Sequence, residues 1–335
     1  MQSPIQEISY SGQHLDASAL LRDARPLVLR SLCADWPLVT MARQSDTAFA
    51  QELARHDNGS PVSVLLMPPD AGGRIGFNAA LDGFNYESFG VSITDALQRL
   101  AAYARNGVEP HGVALISATL AHCAPGLVPT HRVPFLDPSV EPRLWMGNHV
   151  TTPAHFDALP NIAVVACGRR RFTLFPPEQA RNLYVGPLDF APSTMAISMP
   201  ALEATDDARW PRLKEALAHA QSAVLEPGDA IFVPPLWWHN VESLGRLNAL
   251  INFWWAREAF PGHVPEAGMQ ALLHCFLAYK WLPVEERAAW RSLLDHYVFG
   301  AEDPAMHIPA GRRGVLGPLT AETEAKIKKL IEKGP

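Results

Sequence analysis

The segment His155-Phe156-Asp157 sets an imidazole and a carboxylate two residues apart. On an extended chain side chains alternate with a period of two, so these two share a face and can point a ring nitrogen and a carboxylate oxygen at one ion. A ligand from a neighbouring strand would complete a facial triad. Two histidines and one carboxylate leave three positions open on an octahedral ion, the arrangement that suits non-haem Fe(II) and O2 chemistry. The candidate third ligand is His239, which closes the run from Leu225 through Pro227-Gly228-Asp229 and Ala230-Ile231-Phe232-Val233 to Pro234-Pro235-Leu236-Trp237-Trp238. Pro227 and Gly228 suit the central positions of a type II turn, with glycine supplying the positive φ and a strand following.

The bare H-x-D pattern is weak in a chain with 13 histidines. A second copy, His14-Leu15-Asp16, precedes an Ala-Leu-Leu run that reads as a helix, so a helix cap is expected there and not a metal site. His149, six before His155, is expected to be a structural group. Trp145, Phe156, Trp237, Trp238, Trp254 and Trp255 are expected to pack the core and rim rather than to form a substrate cage. In Arg169-Arg170-Arg171-Phe172-Thr173-Leu174, alternation puts Arg170 in phase with Phe172 and Leu174, while Arg169 and Arg171 share the face of Thr173. Arg170 is therefore the arginine expected to turn inward, where a charge is tolerated only with a partner.

These residues need a β scaffold to position them. From Val113 to Trp255 the chain is a series of short β-type runs punctuated by Pro, Gly and Asn, at Val113 to Thr119, Arg143 to Met146, Ile162 to Ala166, Arg170 to Phe175, Ala230 to Val233 and Leu247 to Trp255. Short, even spacing of this kind suggests a sandwich or barrel. The 30 prolines among 335 residues are nearly twice ordinary usage and fit many turns rather than a helical bundle. Residues 186–221 read as an insertion with a helix over Pro211 to Ala220. Residues 1–112 read as a mixed α/β flank, with a strand at Val62 to Leu66 and helices at Asp46 to Arg55 and Ile93 to Tyr103. Residues 259–335 read as a helical extension, with apolar-faced helices over Gly268 to Leu277 and Val284 to Val298 and a terminal helix over Thr320 to Lys333.

Composition narrows the partners. Apolar residues make up 48% and charged residues 19%, the values of a folded globular protein. The net charge of −6, with no block of like charges, gives no footprint for nucleic acid or an anionic membrane. Cys33, Cys123, Cys167 and Cys275 lie far apart with no C-x-x-C spacing, which fits a reducing, cytoplasmic setting. No run of 18 apolar residues and no leader pattern is present, so a soluble, unexported chain is expected.

Thr151-Thr152-Pro153-Ala154-His155-Phe156-Asp157, Phe172-Thr173-Leu174-Phe175-Pro176-Pro177, the run Pro227 to His239, and Asn252-Phe253-Trp254 resemble, in order and spacing, the cupin-like branch of the JmjC Fe(II)/2-oxoglutarate oxygenases. The likeness is greatest to its asparaginyl hydroxylases, which act on hypoxia-inducible factor. Leu29-Arg30 to Asp35-Trp36-Pro37 resembles the usual start of these domains. The resemblance implies a mainly β fold with flanking helices: a double-stranded β-helix (jelly-roll, cupin) barrel over 113–258. It implies that His155, Asp157 and His239 hold Fe(II). Thr152 would contact the cosubstrate carboxylate, and Asn161 and Asn252 would line the cosubstrate pocket. Arg170 stands where the family has a lysine for the far carboxylate of 2-oxoglutarate, and guanidinium can grip a carboxylate bidentately. Leu115 aligns with a tyrosine that hydrogen-bonds the same carboxylate in relatives. The implied activity is hydroxylation of a polypeptide side chain with O2 and 2-oxoglutarate, and the helices around 269–298 resemble the extension through which relatives form homodimers. Three alternatives stay open: a metal-binding cupin without 2-oxoglutarate (an isomerase or sensor), a hydroxylase of a small molecule or RNA base, and a non-catalytic binding protein.

Overall fold

A computed structural model describes residues 3–12, 15–105, 111–192, 196–255 and 267–333; His14 lies outside them. The chain divides into two units, Met1–Trp255 and Ala256–Pro335.

The first unit begins with β1 (Ser3–Pro4), β2 (Gln6–Ser9), α1 (Ala17–Asp23), β3 (Leu27–Arg30), α2 (Pro37–Gln44) and α3 (Asp46–His56). Then come β4 (Val62–Met67), β5 (Glu87–Val91), α4 (Ile93–Arg105), β6 (Gly112–Thr119), α5 (Leu120–Cys123), β7 (Pro142–Gly147) and β8 (Thr151–His155). It closes with β9 (Asn161–Cys167), β10 (Arg170–Phe175), α6 (Leu213–Ala218), β11 (Gln221–Leu225), β12 (Ala230–Val233), β13 (Trp238–Ser243) and β14 (Asn248–Trp254). The second unit holds α7 (Ala267–Tyr279), α8 (Val284–Leu294) and α9 (Ala321–Lys333).

Local chemistry sets the element ends. Asp16 caps α1 by accepting from the Ser18 amide at 2.8 Å, so the second H-x-D copy spends its carboxylate on a helix end. Ser45 caps α3 in the same way, accepting from Ala48 at 3.0 Å, and Phe49 and Leu53, one turn apart, are both fully buried. Gly228 adopts φ +98°, and the Asp229 amide closes the turn onto Glu226 at 3.0 Å. A Cβ there would stand 2.9 Å from Ala34 Cα, so the turn also needs glycine for the close approach.

Two sheets face each other as the halves of a jelly roll. The larger runs β2-β3-β12-β9-β14-β7-β6-β4-β5 and the smaller β1-β11-β10-β13-β8. Strands from the first hundred residues extend both: β1 pairs with β11, β3 with β12, and β4 with β6. Alternation then sorts the side chains. One face of the larger sheet, with Val164, Ile251 and Phe253, packs on Leu38, Phe49, Leu53 and Leu97 of the helices. Its other face, with Ala163, Val165 and Leu250, meets Phe172, Leu174, Leu225 and Val241 of the smaller sheet. Phe172 is 2% exposed, and truncating such a ring to alanine costs about 3–5 kcal/mol. On the outside of the smaller sheet, Leu183, Ala216 and Ala220, from the chain between β10 and β11, pack on Phe175 and Trp238.

One alignment is corrected. Leu115 does not face the space between the sheets: it is 1% exposed and packs in the helix-covered core. Its neighbours Ala114 and Ile116 take the opposite face, with Met67 and Val150. The period of two decides this, so Leu115 cannot stand in for a pocket tyrosine.

Candidate metal centre

β8 and β13 pair antiparallel with His155 opposite His239, and their ring centroids lie 4.1 Å apart. Asp157 falls two residues beyond the end of β8, so the carboxylate is not on the strand as an extended H-x-D would have it. It is brought back by its surroundings: its backbone carbonyl accepts from the Leu236 amide at 2.8 Å, and its Oδ2 accepts from Trp254 Nε1 at 3.0 Å. One ligand atom from each of His155, Asp157 and His239 lies within 4.8 Å of the others, and among the described residues no other three His, Cys, Asp or Glu side chains meet this way.

Both imidazoles are set for ligation. Nδ1 of His155 contacts the Pro153 carbonyl at 2.9 Å and Nδ1 of His239 contacts the Trp237 carbonyl at 3.0 Å. A proton on each Nδ1 donates to its carbonyl and leaves the Nε2 lone pair free, the usual arrangement behind a ligating histidine. His239 is 4% exposed. Burial, followed by the nearby His155 ring, holds its pKa well below the ordinary value, which keeps it neutral and able to bind a cation. Two imidazole nitrogens and one carboxylate oxygen form a donor set that fits Fe(II).

Thr152 lies three residues before His155, so strict alternation would turn it outward. The β8–β13 register runs from His239 opposite His155 to Val241 opposite Thr152, three steps against two. This bulge re-phases β8. Thr152 therefore stands opposite inward-facing Val241, on the same side as the triad.

Arg170 turns inward as alternation predicts, in phase with Phe172 and Leu174. It is 7% exposed, its Nη2 donates to the Trp145 carbonyl at 3.3 Å, and its Nε has no partner among the described residues. Desolvation pulls its pKa down to about 10, and no carboxylate among the described residues pairs with it. Arg171, on the other face, pairs with Glu242 at 2.6 Å.

The two asparagines are joined. Asn252 Nδ2 donates to Asn161 Oδ1 at 3.1 Å, and Asn161 Nδ2 reaches Asp157 Oδ2 at 3.5 Å. Trp145 Nε1 donates to Asn252 Oδ1 at 2.8 Å. A polar chain thus leads from Asp157 through Asn161 and Asn252 to Trp145, whose carbonyl holds Arg170. Phe156, Trp237 and Trp238 pack as expected, but Trp145 and Trp254 also donate, a role that sequence reasoning missed. Their phase with Asn252 on β7 and β14 was the available signal. His149 is exposed and takes no part.

A profile of the cupin-like domain family matches residues 14–259. Human HSPB1-associated protein 1 is 33% identical over 150 residues, covering 44% of this chain and 30% of that protein. The lysine-specific demethylase JMJ31 of Arabidopsis thaliana is 32% identical over 123 residues, covering 36% and 22%. The tRNA wybutosine-synthesizing protein 4 of Gibberella zeae is 27% identical over 185 residues, covering 54% and 17%. The match thus spans less than a third of each of these curated relatives.

Proposed function

The chain belongs to the cupin-like family of JmjC type, and on that premise we propose that it is an Fe(II)- and 2-oxoglutarate-dependent hydroxylase of a polypeptide side chain. The observation that carries the reading is Arg170. A buried guanidinium without a carboxylate is costly, and the cost is offset when an anion enters. Arg170 pairs with Ser243 on β13, four residues along the strand from His239, about 13 Å at the usual rise. The reach of the guanidinium and a five-carbon dicarboxylate together span that gap.

His155, Asp157 and His239 would hold the metal, Arg170 the far carboxylate, and Thr152 would donate its hydroxyl to the same anion. Trp254 and Asn161 keep Asp157 oriented, and the apolar space between the sheets excludes water. Bound Fe(II) would supply the O2 chemistry that inserts one oxygen atom into a substrate C–H bond while the other enters succinate, with loss of CO2. No side chain of the triad need carry a proton.

The name of the plant relative favours an amino-acid side chain as target, and the negative net charge disfavours RNA, the class that the fungal relative's name suggests. The test is succinate formation from 2-oxoglutarate with Fe(II), O2 and candidate peptides. Peptide-stimulated succinate that disappears in His155→Ala supports the reading. Wild-type output equal to that variant's overturns it in favour of a cupin that does not use 2-oxoglutarate.

We also infer a homodimer through residues 259–335. Leu277 is 81% exposed and Trp281 82%, and Val284 and Phe299 are also exposed, an apolar surface beyond what isolated surface residues present.

A further inference from the structure

The rim around the triad holds a cation that the proposed chemistry does not use. β7 starts and β6 and β14 end at the level of the triad: Arg143 pairs with Thr119 on one side and Asn252 on the other, and Trp254 pairs with Asn161. Alternation puts Arg143 on the face of Trp145, toward the space between the sheets. Its Cζ lies 5.8 Å from the centre of the Trp254 ring, the same indole whose N–H holds Asp157.

Arg143 is poorly satisfied for an arginine in this fold. Among the described residues its one hydrogen bond runs from Nη1 to Ser117 Oγ at 3.4 Å, and the closest carboxylate, Glu141, is 4.0 Å away and 59% exposed. Arg30, by contrast, meets Asp229 at 2.6 Å. A guanidinium has five N–H donors, so among the described residues most of those of Arg143 meet no protein acceptor; the side chain is 35% exposed, open to solvent or a ligand, and the indole face holds the group in place.

The backbone at this rim is shaped on both sides. β6 takes three steps from Leu115 to Ala118 where β7 takes two, and within that bulge Ser117 adopts φ +48°. Leu236, whose amide holds the Asp157 carbonyl, adopts φ +66° and leaves its side chain 50% exposed. Left-handed backbone is disfavoured at a non-glycine residue, and such conformations gather where a site is being formed. Here one directs a hydroxyl to Arg143 and the other presents an apolar side chain beside Asp157.

We propose that Arg143 selects the substrate: it receives the carboxylate of an acidic residue near the oxidised position, and Leu236 contacts an apolar neighbour of that residue. This rests on the polypeptide-hydroxylase reading. A carboxylate would be gripped bidentately by the fork held on Trp254.

The test uses full-length protein loaded with Mn(II) and 2-oxoglutarate under argon and panned against a degenerate dodecapeptide library. Wild type is expected to enrich Asp and Glu. Arg143→Gln is expected to lose that bias and to bind the selected peptides about tenfold or more weakly. Arg143→Lys should fall between, and Arg143→Glu should shift the bias to Lys and Arg. Unchanged Co(II) binding in each variant shows that the fold and triad are intact. Peptide enrichment without an acidic bias, or an acidic bias that survives in Arg143→Gln, overturns the role of Arg143 and leaves the polypeptide reading standing. No enrichment of any peptide overturns the polypeptide reading itself.

Discussion

Trp254 donates its indole N–H to Asp157 Oδ2 at 3.0 Å, and the same oxygen lies 3.6 Å from His239 Nε2. The indole thus fixes the rotation of a carboxylate that sits beyond the end of its strand. Outer partners of this kind are typically worth about 10–100-fold in metal affinity. Trp254→Phe, which keeps the ring and removes the donor, should weaken Co(II) binding within that range in a spectroscopic titration. Wild-type affinity in the variant would show that the hydrogen bond does not orient the carboxylate.

The proposed role of Arg170 ties cosubstrate binding to stability. 2-Oxoglutarate at a hundred times its dissociation constant should stabilise the wild-type protein by about 2.7 kcal/mol, seen as a raised melting temperature. Arg170→Met should melt at or above the ligand-free wild-type temperature, because an unpaired buried cation has been removed, and should show no rise with 2-oxoglutarate. An equal rise in both proteins contradicts the assignment.

His131 gives the fold an acid-sensitive core. It is fully buried against Trp36, with Nδ1 contacting the Leu127 carbonyl at 2.9 Å and Nε2 unpartnered among the described residues. Desolvation lowers its pKa from 6.5 to about 4. The unfolded chain therefore binds the proton first. The contribution of His131 is fully present above about pH 6.5 and is lost as pH falls toward 4, on the order of 3 kcal/mol in all. His131→Phe should flatten that part of the stability profile in urea titrations. A parallel slope in wild type and variant would assign the acid sensitivity elsewhere.

The apolar helices of the second unit carry the dimer proposal. Sedimentation at micromolar concentration should give twice the 36.7 kDa chain mass, and Leu277→Glu combined with Trp281→Glu should give the single mass. A wild-type monomer contradicts it.

Much of the site was legible because the chemistry sits in short local patterns. His155, Asp157 and His239 follow from motif order, and the inward turn of Arg170 follows from alternation within six residues of β10. Thr152 needed the bulge, which a period of two cannot foresee. The asparagine pair and its tryptophan could not be joined from sequence, because Asn161 and Asn252 are 91 residues apart and Trp145 and Asn252 are 107 apart. β8, β11 and β13 escaped reading as strands because His, Pro, Asn and Ser interrupt their alternation, and their pairing partners supply the order that composition does not. Leu115 misled for a related reason: neighbouring strand residues face opposite sides, and Leu115 lies on the helix-covered one.

In the proposed enzyme one triad and Arg170 together hold Fe(II) and 2-oxoglutarate. Anaerobic addition of 2-oxoglutarate to the Fe(II)-loaded protein tests it most directly, through the visible metal-to-ligand charge-transfer band of keto-acid chelation. Wild type should develop the band, Asp157→Ala should not, and Arg170→Met should need far more 2-oxoglutarate to reach it. Fe(II) bound by the wild-type protein with no band at saturating 2-oxoglutarate would contradict the claim.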